Sequence, residues 1–154
     1  MTAALKFKEH GWLRAGSSFD LVVDADSGQS WDFLKAEDRR RCWRRLQLED
    51  PWVVIGSPLC TAFSTLQALN KNRSAIQEQQ SKLIEGKVLL NFALDVYRWQ
   101  VRRGRYFLHE HPATATSWRL PEVQKMLSQP RVESIVSDTC MFGMMAAIKQ
   151  IPFL

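Results

Sequence analysis

The fold is indicated most directly by one short stretch, Trp52-Val53-Val54-Ile55-Gly56-Ser57-Pro58. Four consecutive apolar residues that end at a Gly-Ser-Pro turn are typical of a buried strand in a parallel sheet. Parallel strands need a long crossover connection, which is usually a helix. We therefore expect helices and strands to alternate on both sides of this stretch.

The strongest helical pattern in the chain follows it, over residues 74–103. Apolar residues recur there at spacings of three, four and seven and so share one face: Leu83, Leu90, Ala93, Leu94, Tyr97 and Val101. Gly104 is a typical helix stop. Tyr106-Phe107-Leu108 then predicts the next strand.

Working outward, the sequence predicts a strand over 18–23, a helix over 35–48, a helix over 121–128 and a strand over 132–136. Pro121 suits the first turn of the later helix. This order predicts an α/β fold, with a mostly parallel sheet, flanking helices and right-handed crossovers. No linker or internal repeat divides the chain, so we expect residues 1–154 to form a single domain.

Composition excludes several classes of protein. The chain has 154 residues, of which 45% are apolar and 24% charged, as is usual for a globular domain. No apolar run approaches the roughly 20 residues of a membrane span, and residues 1–6 are too poor in apolar side chains for a secretory signal. We therefore expect neither a membrane protein nor an exported one.

The net charge and the cysteines indicate the class of partner and the cellular compartment. The formal net charge is +5, which suits a polyanion such as nucleic acid. Two arginine clusters predict either solvated helix faces or a phosphate-binding surface: Arg39, Arg40, Arg41, Arg44 and Arg45, and Arg98, Arg102, Arg103 and Arg105. Cys42, Cys60 and Cys140 are odd in number and lack a CxxC pair, so we expect a reducing compartment, cytoplasmic or nuclear.

Chemically useful side chains follow the predicted strands. In open parallel sheets, ligands bind beyond the carboxyl ends of the strands. The first such loop is Gly56-Ser57-Pro58-Leu59-Cys60-Thr61-Ala62-Phe63-Ser64, and the second is His109-Glu110-His111-Pro112. The last predicted strand leads to Asp138 and Cys140. We therefore expect a thiol, carboxylates and imidazoles to converge at one sheet edge.

The Cys60 loop resembles the Gly-x-Pro-Pro-Cys-Gln-x-Phe-Ser loop of the C5-cytosine DNA methyltransferases. Glu110 resembles the glutamate of that family's Glu-Asn-Val or Glu-Asn-Pro motif, and one long helix separates the two motifs in both. The resemblance covers residues 50–143. Upstream, residues 16–21 and 31–33 look like the second-strand and third-strand region of such domains. More loosely, the chain is similar to methyltransferase-like segments of mobile-element polyproteins.

The resemblance implies a definite mechanism on DNA. Cys60 would be the thiolate that attacks C6 of an extruded cytosine, and Glu110 would hold N3 of the ring. C5 would then take a methyl group from S-adenosylmethionine. Pro58 would stiffen the loop, Asp20 would accept hydrogen bonds from the cofactor ribose, and Asp32 would be a weaker cofactor contact.

The sequence also departs from the family pattern. Leu59 replaces the second Pro and Thr61 replaces the Gln, while no Phe-x-Gly-x-Gly turn follows an early strand. The resemblance thus implies a truncated, Rossmann-like domain that lacks the glycine-rich first β-α unit. A sheet without its central strand leaves open edges and an apolar face. We therefore expect the chain to dimerise, to rearrange its sheet order or to be poorly soluble. A homodimer or a complementing chain would be the partner.

Other functions stay open at this point. One is a non-catalytic remnant of such a domain that binds nucleic acid or a partner chain. Another is a hydrolase triad of Cys60, His111 and Asp138. A zinc site could use His109, His111 and Cys140, although we expect the two imidazoles to point to opposite sides of an extended chain. Trp31 or Trp118 could stack on a base.

Overall fold

The computed structural model describes residues 16–22, 28, 30–65 and 73–137. This part of the chain contains three helices and two strands, in the order α1 (Ala36–Glu49), β1 (Val53–Gly56), α2 (Arg73–Arg102), β2 (Tyr106–His109) and α3 (Pro121–Leu127). Short 3₁₀ turns at Thr61–Phe63 and Thr116–Arg119 follow β1 and β2 respectively. All five helices and strands lie within one residue of their predicted bounds.

β1 and β2 form a parallel pair in which Val53 lies opposite Tyr106 and Gly56 lies opposite His109. α2 provides the crossover connection that a parallel pair requires. The inward side chains of Val54 and Phe107 pack against the core beside α2. The opposite face of the sheet is open in the described chain, with Val53 49% exposed. The prediction that β1 is a buried strand is therefore wrong for its outward side chains, Val53 and Ile55.

Two further predicted strands do not form. Over 18–22 the chain bends, because Asp20 Oδ1 accepts the Val22 N–H (3.3 Å); residue 23 lies outside the described ranges. Residues 132–136 are irregular, and Ile135 is 81% exposed. β-branched residues favour a strand only where a neighbouring strand gives them a surface to pack on. The described chain is thus a mixed α/β structure with a two-stranded sheet.

α2 is the centre of the core. The face predicted from its spacing is confirmed: Leu90, Leu94 and Tyr97 are buried, and Leu83, Ala93 and Val101 pack beside them. A second apolar face, with Phe92 and Val96, packs against Cys42 and Leu46 of α1. Despite its 30 residues, neither α2 nor any other described helix is apolar enough to cross a membrane.

Candidate functional site

The carboxyl ends of β1 and β2 lie side by side, so the two loops of interest meet. The Glu110 N–H donates to the Gly56 carbonyl (3.1 Å) and continues the parallel ladder one residue past β2. Ser57 Oγ then donates to Glu110 Oε2 at 2.8 Å. Convergence of the first two loops is therefore observed, whereas the loop with Asp138 and Cys140 lies outside the described residues.

The side chain of His111 also connects these two loops. Its Nε2 lies 2.8 Å from the Pro58 carbonyl and its Nδ1 lies 2.7 Å from Ser117 Oγ. Because a carbonyl only accepts, Nε2 carries the proton in the neutral ring, and Nδ1 accepts the hydroxyl of Ser117. His111 is only 8% exposed. It therefore fastens the Pro58 end of the Cys60 loop to the segment that follows β2.

Cys60 is half-buried and immediately precedes the 3₁₀ turn Thr61–Phe63. Its carbonyl accepts the Phe63 N–H at 2.9 Å, and the Phe63 ring is buried. Gly86 of α2 allows this close approach, because a Cβ there would lie 2.8 Å from Ala62 Cβ. The loop that carries Cys60 is thus anchored on both sides of the cysteine.

Cys42 offers a useful contrast. It is 3% exposed in the α1–α2 core, and burial, with a smaller contribution from the charge of Glu49, raises the pKa of its thiol to about 12. A buried thiol with a high pKa is a poor nucleophile. Among the described cysteines, Cys60 is therefore the better placed for chemistry.

The rings of His109 and His111 lie on the same side, with centroids 4.8 Å apart. The expectation that they point to opposite sides is wrong, because residues two apart along a strand share a face. Tyr97 Oη lies 3.1 Å from His109 Nδ1, and Trp118 packs edge-on at 5.4 Å. Burial raises the pKa of Tyr97. Burial also lowers the pKa of His109 to about 4. The neighbouring His111 lowers this pKa further, and the charge of Glu110 acts to raise it.

The low pKa of His109 predicts a loss of stability in mild acid. Between about pH 6.5 and pH 4, His109 binds a proton in the unfolded chain but not in the folded one. The free energy of unfolding therefore falls as pH falls. Solvent screening at the partly exposed ring limits the expected effect to about 1–2 kcal/mol. Urea unfolding measures the free energy of unfolding at pH 7.5 and at pH 5.0. The difference between these two values should be smaller for His109→Gln than for the wild type. Equal differences for the two proteins would contradict this origin.

The two aspartates predicted to contact the cofactor, Asp20 and Asp32, make local contacts in the described chain. Asp32 Oδ1 accepts the Leu34 N–H at 3.1 Å, and Oδ2 pairs with Lys35 at 3.5 Å in the turn before α1. Asp20 is exposed, and its carbonyl accepts the Trp31 N–H at 2.7 Å. Pro58 lies in the Cys60 loop as expected. Among the described residues, neither aspartate forms a hydrogen bond or an ion pair with that loop.

Trp31 and Trp118 differ in position. Trp31 is buried in an aromatic cluster with Phe19, 4.8 Å away, and Arg41 lies over its ring. It therefore has no free face for a base. Trp118 lies beside the two histidines, and its Nε1–H donates to the Pro112 carbonyl at 2.8 Å. Of the two tryptophans, Trp118 is the one at the site.

Most of the clustered arginines are used within the fold. Seven of them donate to carboxylates or carbonyls of the described chain: Arg39, Arg41, Arg45, Arg98, Arg102, Arg103 and Arg105. Arg40 and Arg44 are exposed, and among the described residues neither forms an ion pair or hydrogen bond. The surface left for phosphate groups is therefore smaller than the arginine count implies.

No three potential metal ligands cluster among the described residues. Cys140 lies outside those ranges, so the zinc hypothesis stays a prediction, as does the triad that needs Asp138. Sequence reasoning missed Ser57, Ser117 and Tyr97 as members of the site. Ser57 could be predicted, since it lies within the quoted loop 56–64. Ser117 and Tyr97 become neighbours of the two histidines only through folding.

Comparison with known proteins finds no matching family model, no matching curated protein and no matching solved structure.

Proposed function

We propose that the chain is a C5-cytosine-methyltransferase-like domain that acts on cytosine in nucleic acid, DNA in the first instance. One observation carries the proposal: the loop with Cys60 and the segment with Glu110 are joined by two hydrogen bonds, Ser57 Oγ to Glu110 Oε2 and His111 Nε2 to the Pro58 carbonyl, each 2.8 Å long. A thiol and a carboxylate on neighbouring, fastened loops are what addition to a pyrimidine requires.

Cys60 supplies the nucleophile in this proposal. Its thiolate forms a bond to C6 of the cytosine. The electron pair of the C5–C6 double bond moves onto C5, and the negative charge is shared with the N3 side of the ring. C5 then carries nucleophilic character and takes an electrophile. Transfer of the C5 proton to solvent water restores the C5–C6 double bond and breaks the S–C6 bond, which returns the thiolate.

Glu110 supplies the proton at N3. Addition of sulfur to C6 builds negative charge on the N3 side of the ring; the carboxyl passes a proton to N3, which neutralises that charge, and the carboxylate then accepts a hydrogen bond from the N3–H group. Glu110 is exposed, so a base extruded from its helix can reach it. Ser57 holds one of its two oxygens, which leaves the other for the base.

S-adenosylmethionine is the methyl donor that the proposal names. The described residues do not form a recognisable cradle for it, because neither strand end carries a glycine-rich turn and Asp32 is engaged in the turn before α1. We therefore derive no step through the cofactor. The chemistry of Cys60 and Glu110 can be tested without it.

The test is exchange of the C5 hydrogen of cytosine in deuterated water. Once Cys60 has added to C6, C5 can take a deuteron from solvent in place of a methyl group, and reversal leaves deuterium on the base. We expect mass spectrometry of a cytosine-containing oligonucleotide to detect deuterium with the wild type. Cys60→Ser should reduce the rate to the background without protein, and Cys42→Ala, which removes a buried thiol, should leave it unchanged.

An absence of exchange with the folded wild type would overturn the catalytic proposal. The second candidate, a non-catalytic domain that binds nucleic acid, is favoured by Arg40 and Arg44, which are exposed, have no partner among the described residues and lie one helical turn apart on α1. Binding of an oligonucleotide that weakens with salt would then support it.

A further inference from the structure

The segment that follows β2 holds the Cys60 loop at two points, one before the cysteine and one after it. Before it, His111 Nε2 donates to the Pro58 carbonyl at 2.8 Å. After it, Thr116 Oγ1 donates to the Phe63 carbonyl at 3.1 Å, and the ring of His111 packs against that of Phe63 with centroids 5.9 Å apart. Four residues of the chain separate the two points, and Cys60 is among them.

The side chains that make the first connection are polar and buried. His111 and Ser117 are 8% and 1% exposed, and Ser117 Oγ lies 2.7 Å from His111 Nδ1. Burial of a polar side chain costs free energy unless that side chain is hydrogen-bonded. Ser117 occupies Nδ1 and so holds the ring in the tautomer in which Nε2 carries the proton. The Pro58 carbonyl therefore meets a donor whose position is determined by the core.

A nucleophile depends on such positioning more than a structural cysteine does. Reacting atoms must be held about 3–3.5 Å apart, and a displacement of about 1 Å can cost about a hundredfold in rate. Cys60 lies in a loop, where the backbone is more mobile than in a strand or a helix. Its neighbour Leu59 is 54% exposed, so that side chain does not anchor the loop by burial. The connections to the segment after β2 therefore determine where the thiol lies.

We propose that His111 is a positioning residue for Cys60, and that Thr116 assists it from the other side of the cysteine. Both residues act through the backbone of the Cys60 loop and not on the substrate. The effect on rate rests on the nucleophilic role proposed above for Cys60, whereas the placement of the thiol does not. Loss of the connection should lower the rate at which a bound cytosine reacts without weakening the binding of the oligonucleotide.

Steady-state exchange of the C5 hydrogen tests the effect on rate. We expect His111→Leu to lower kcat by about tenfold to a hundredfold and to leave KM within about twofold of the wild type. His111→Gln should recover most of kcat, because the glutamine Nε2 can still donate to the Pro58 carbonyl.

Gln100→Met is the matched control for the loss of a buried hydrogen-bonding side chain. The Nε2 of the buried Gln100 donates to the carbonyls of Pro51 and Tyr106, at 3.1 and 3.0 Å, and so connects the chain at the opposite ends of the two strands. At a temperature at which circular dichroism shows each variant to be folded, Gln100→Met should keep the kcat of the wild type.

Alkylation of the Cys60 thiol by iodoacetamide tests the placement without any substrate, and peptide mass spectrometry reads this cysteine separately from the others. Release of the loop at one point should expose the half-buried thiol. We therefore expect His111→Leu and Thr116→Val to raise the alkylation rate by about threefold or more, and His111→Gln and Gln100→Met to leave it unchanged. Thr116 is exposed, so its variant covers the case in which His111→Leu does not fold.

An alkylation rate that is the same in the wild type, His111→Leu and Thr116→Val would overturn the proposal. A loss of kcat in Gln100→Met as large as that in His111→Leu would also overturn it, since any buried connection would then have the same effect. If the wild type exchanged no deuterium but both variants were alkylated faster, His111 would still position Cys60, and the catalytic proposal alone would fail.

Discussion

Gly56→Ala is expected to lower the free energy of unfolding by about 3 kcal/mol, an effect at the upper end of those seen for overpacked cores. A Cβ at position 56 would overlap Tyr97 Oη and lie 3.0 Å from Cζ of the same ring. The ring has little room to move, because Tyr97 is 1% exposed and stacks on Phe107 at 4.5 Å. Chemical denaturation monitored by far-ultraviolet circular dichroism measures the change.

Removing the obstructing atom should recover part of this loss. Tyr97→Phe deletes Oη, and its own cost, about 1 kcal/mol, reflects the lost contact with His109. The double variant Gly56→Ala, Tyr97→Phe should therefore be more stable than the sum of the single changes predicts. Gly16→Ala is the control, since a Cβ there meets Glu49 Oε2 at an ordinary 3.5 Å. Additive losses would indicate that the overlap with Oη is not the cause.

Local sequence patterns were sufficient to predict the helices and the two paired strands. The spacing along α2 identified the core face because one helix face repeats every three to four residues whatever the partner is. The second face, with Phe92 and Val96, was not recognised, since its partners in α1 are distant in sequence. Periodicity can predict that a residue is buried, but not against which element it packs.

The strand over 132–136 shows where local patterns fail. Val132, Ile135 and Val136 have high β-propensity, yet Ile135 and Val136 are more exposed than almost any other apolar residue described. A strand needs hydrogen bonds from a neighbour, and propensity carries no information about whether one is present. For the same reason, the sequence predicted a larger sheet than the two described strands form.

The site could be predicted in part. Cys60 and Glu110 came from a motif resemblance, and their loops met because parallel strands end at the same edge. The partners that fasten these loops could not be predicted, since Ser117 and His111 are joined to Pro58 only by the fold. The prediction for the relative direction of His109 and His111 is wrong, although strand alternation determines that direction.

Glu110→Gln is expected to reduce the rate of C5 hydrogen exchange by roughly a hundredfold or more, the usual contribution of a positioned acid. Glutamine has nearly the same shape and can still accept the Ser57 hydroxyl, which lies 2.8 Å from Oε2 in the wild type. It cannot deliver a proton to N3. Because both oxygens of Glu110 lie at an exposed strand end, the substitution should leave the unfolding free energy within about 0.5 kcal/mol of the wild type.

Ser57→Ala separates positioning from proton transfer. It removes one hydrogen bond but leaves the carboxyl in place, so we expect a loss of about tenfold or less. Glu122→Gln, at an exposed carboxylate of α3, controls for the loss of one negative charge and should exchange at the wild-type rate. If Glu110→Gln retained exchange within threefold of the wild type while Cys60→Ser abolished it, the thiolate would act without this carboxyl, and the role proposed for Glu110 would be wrong.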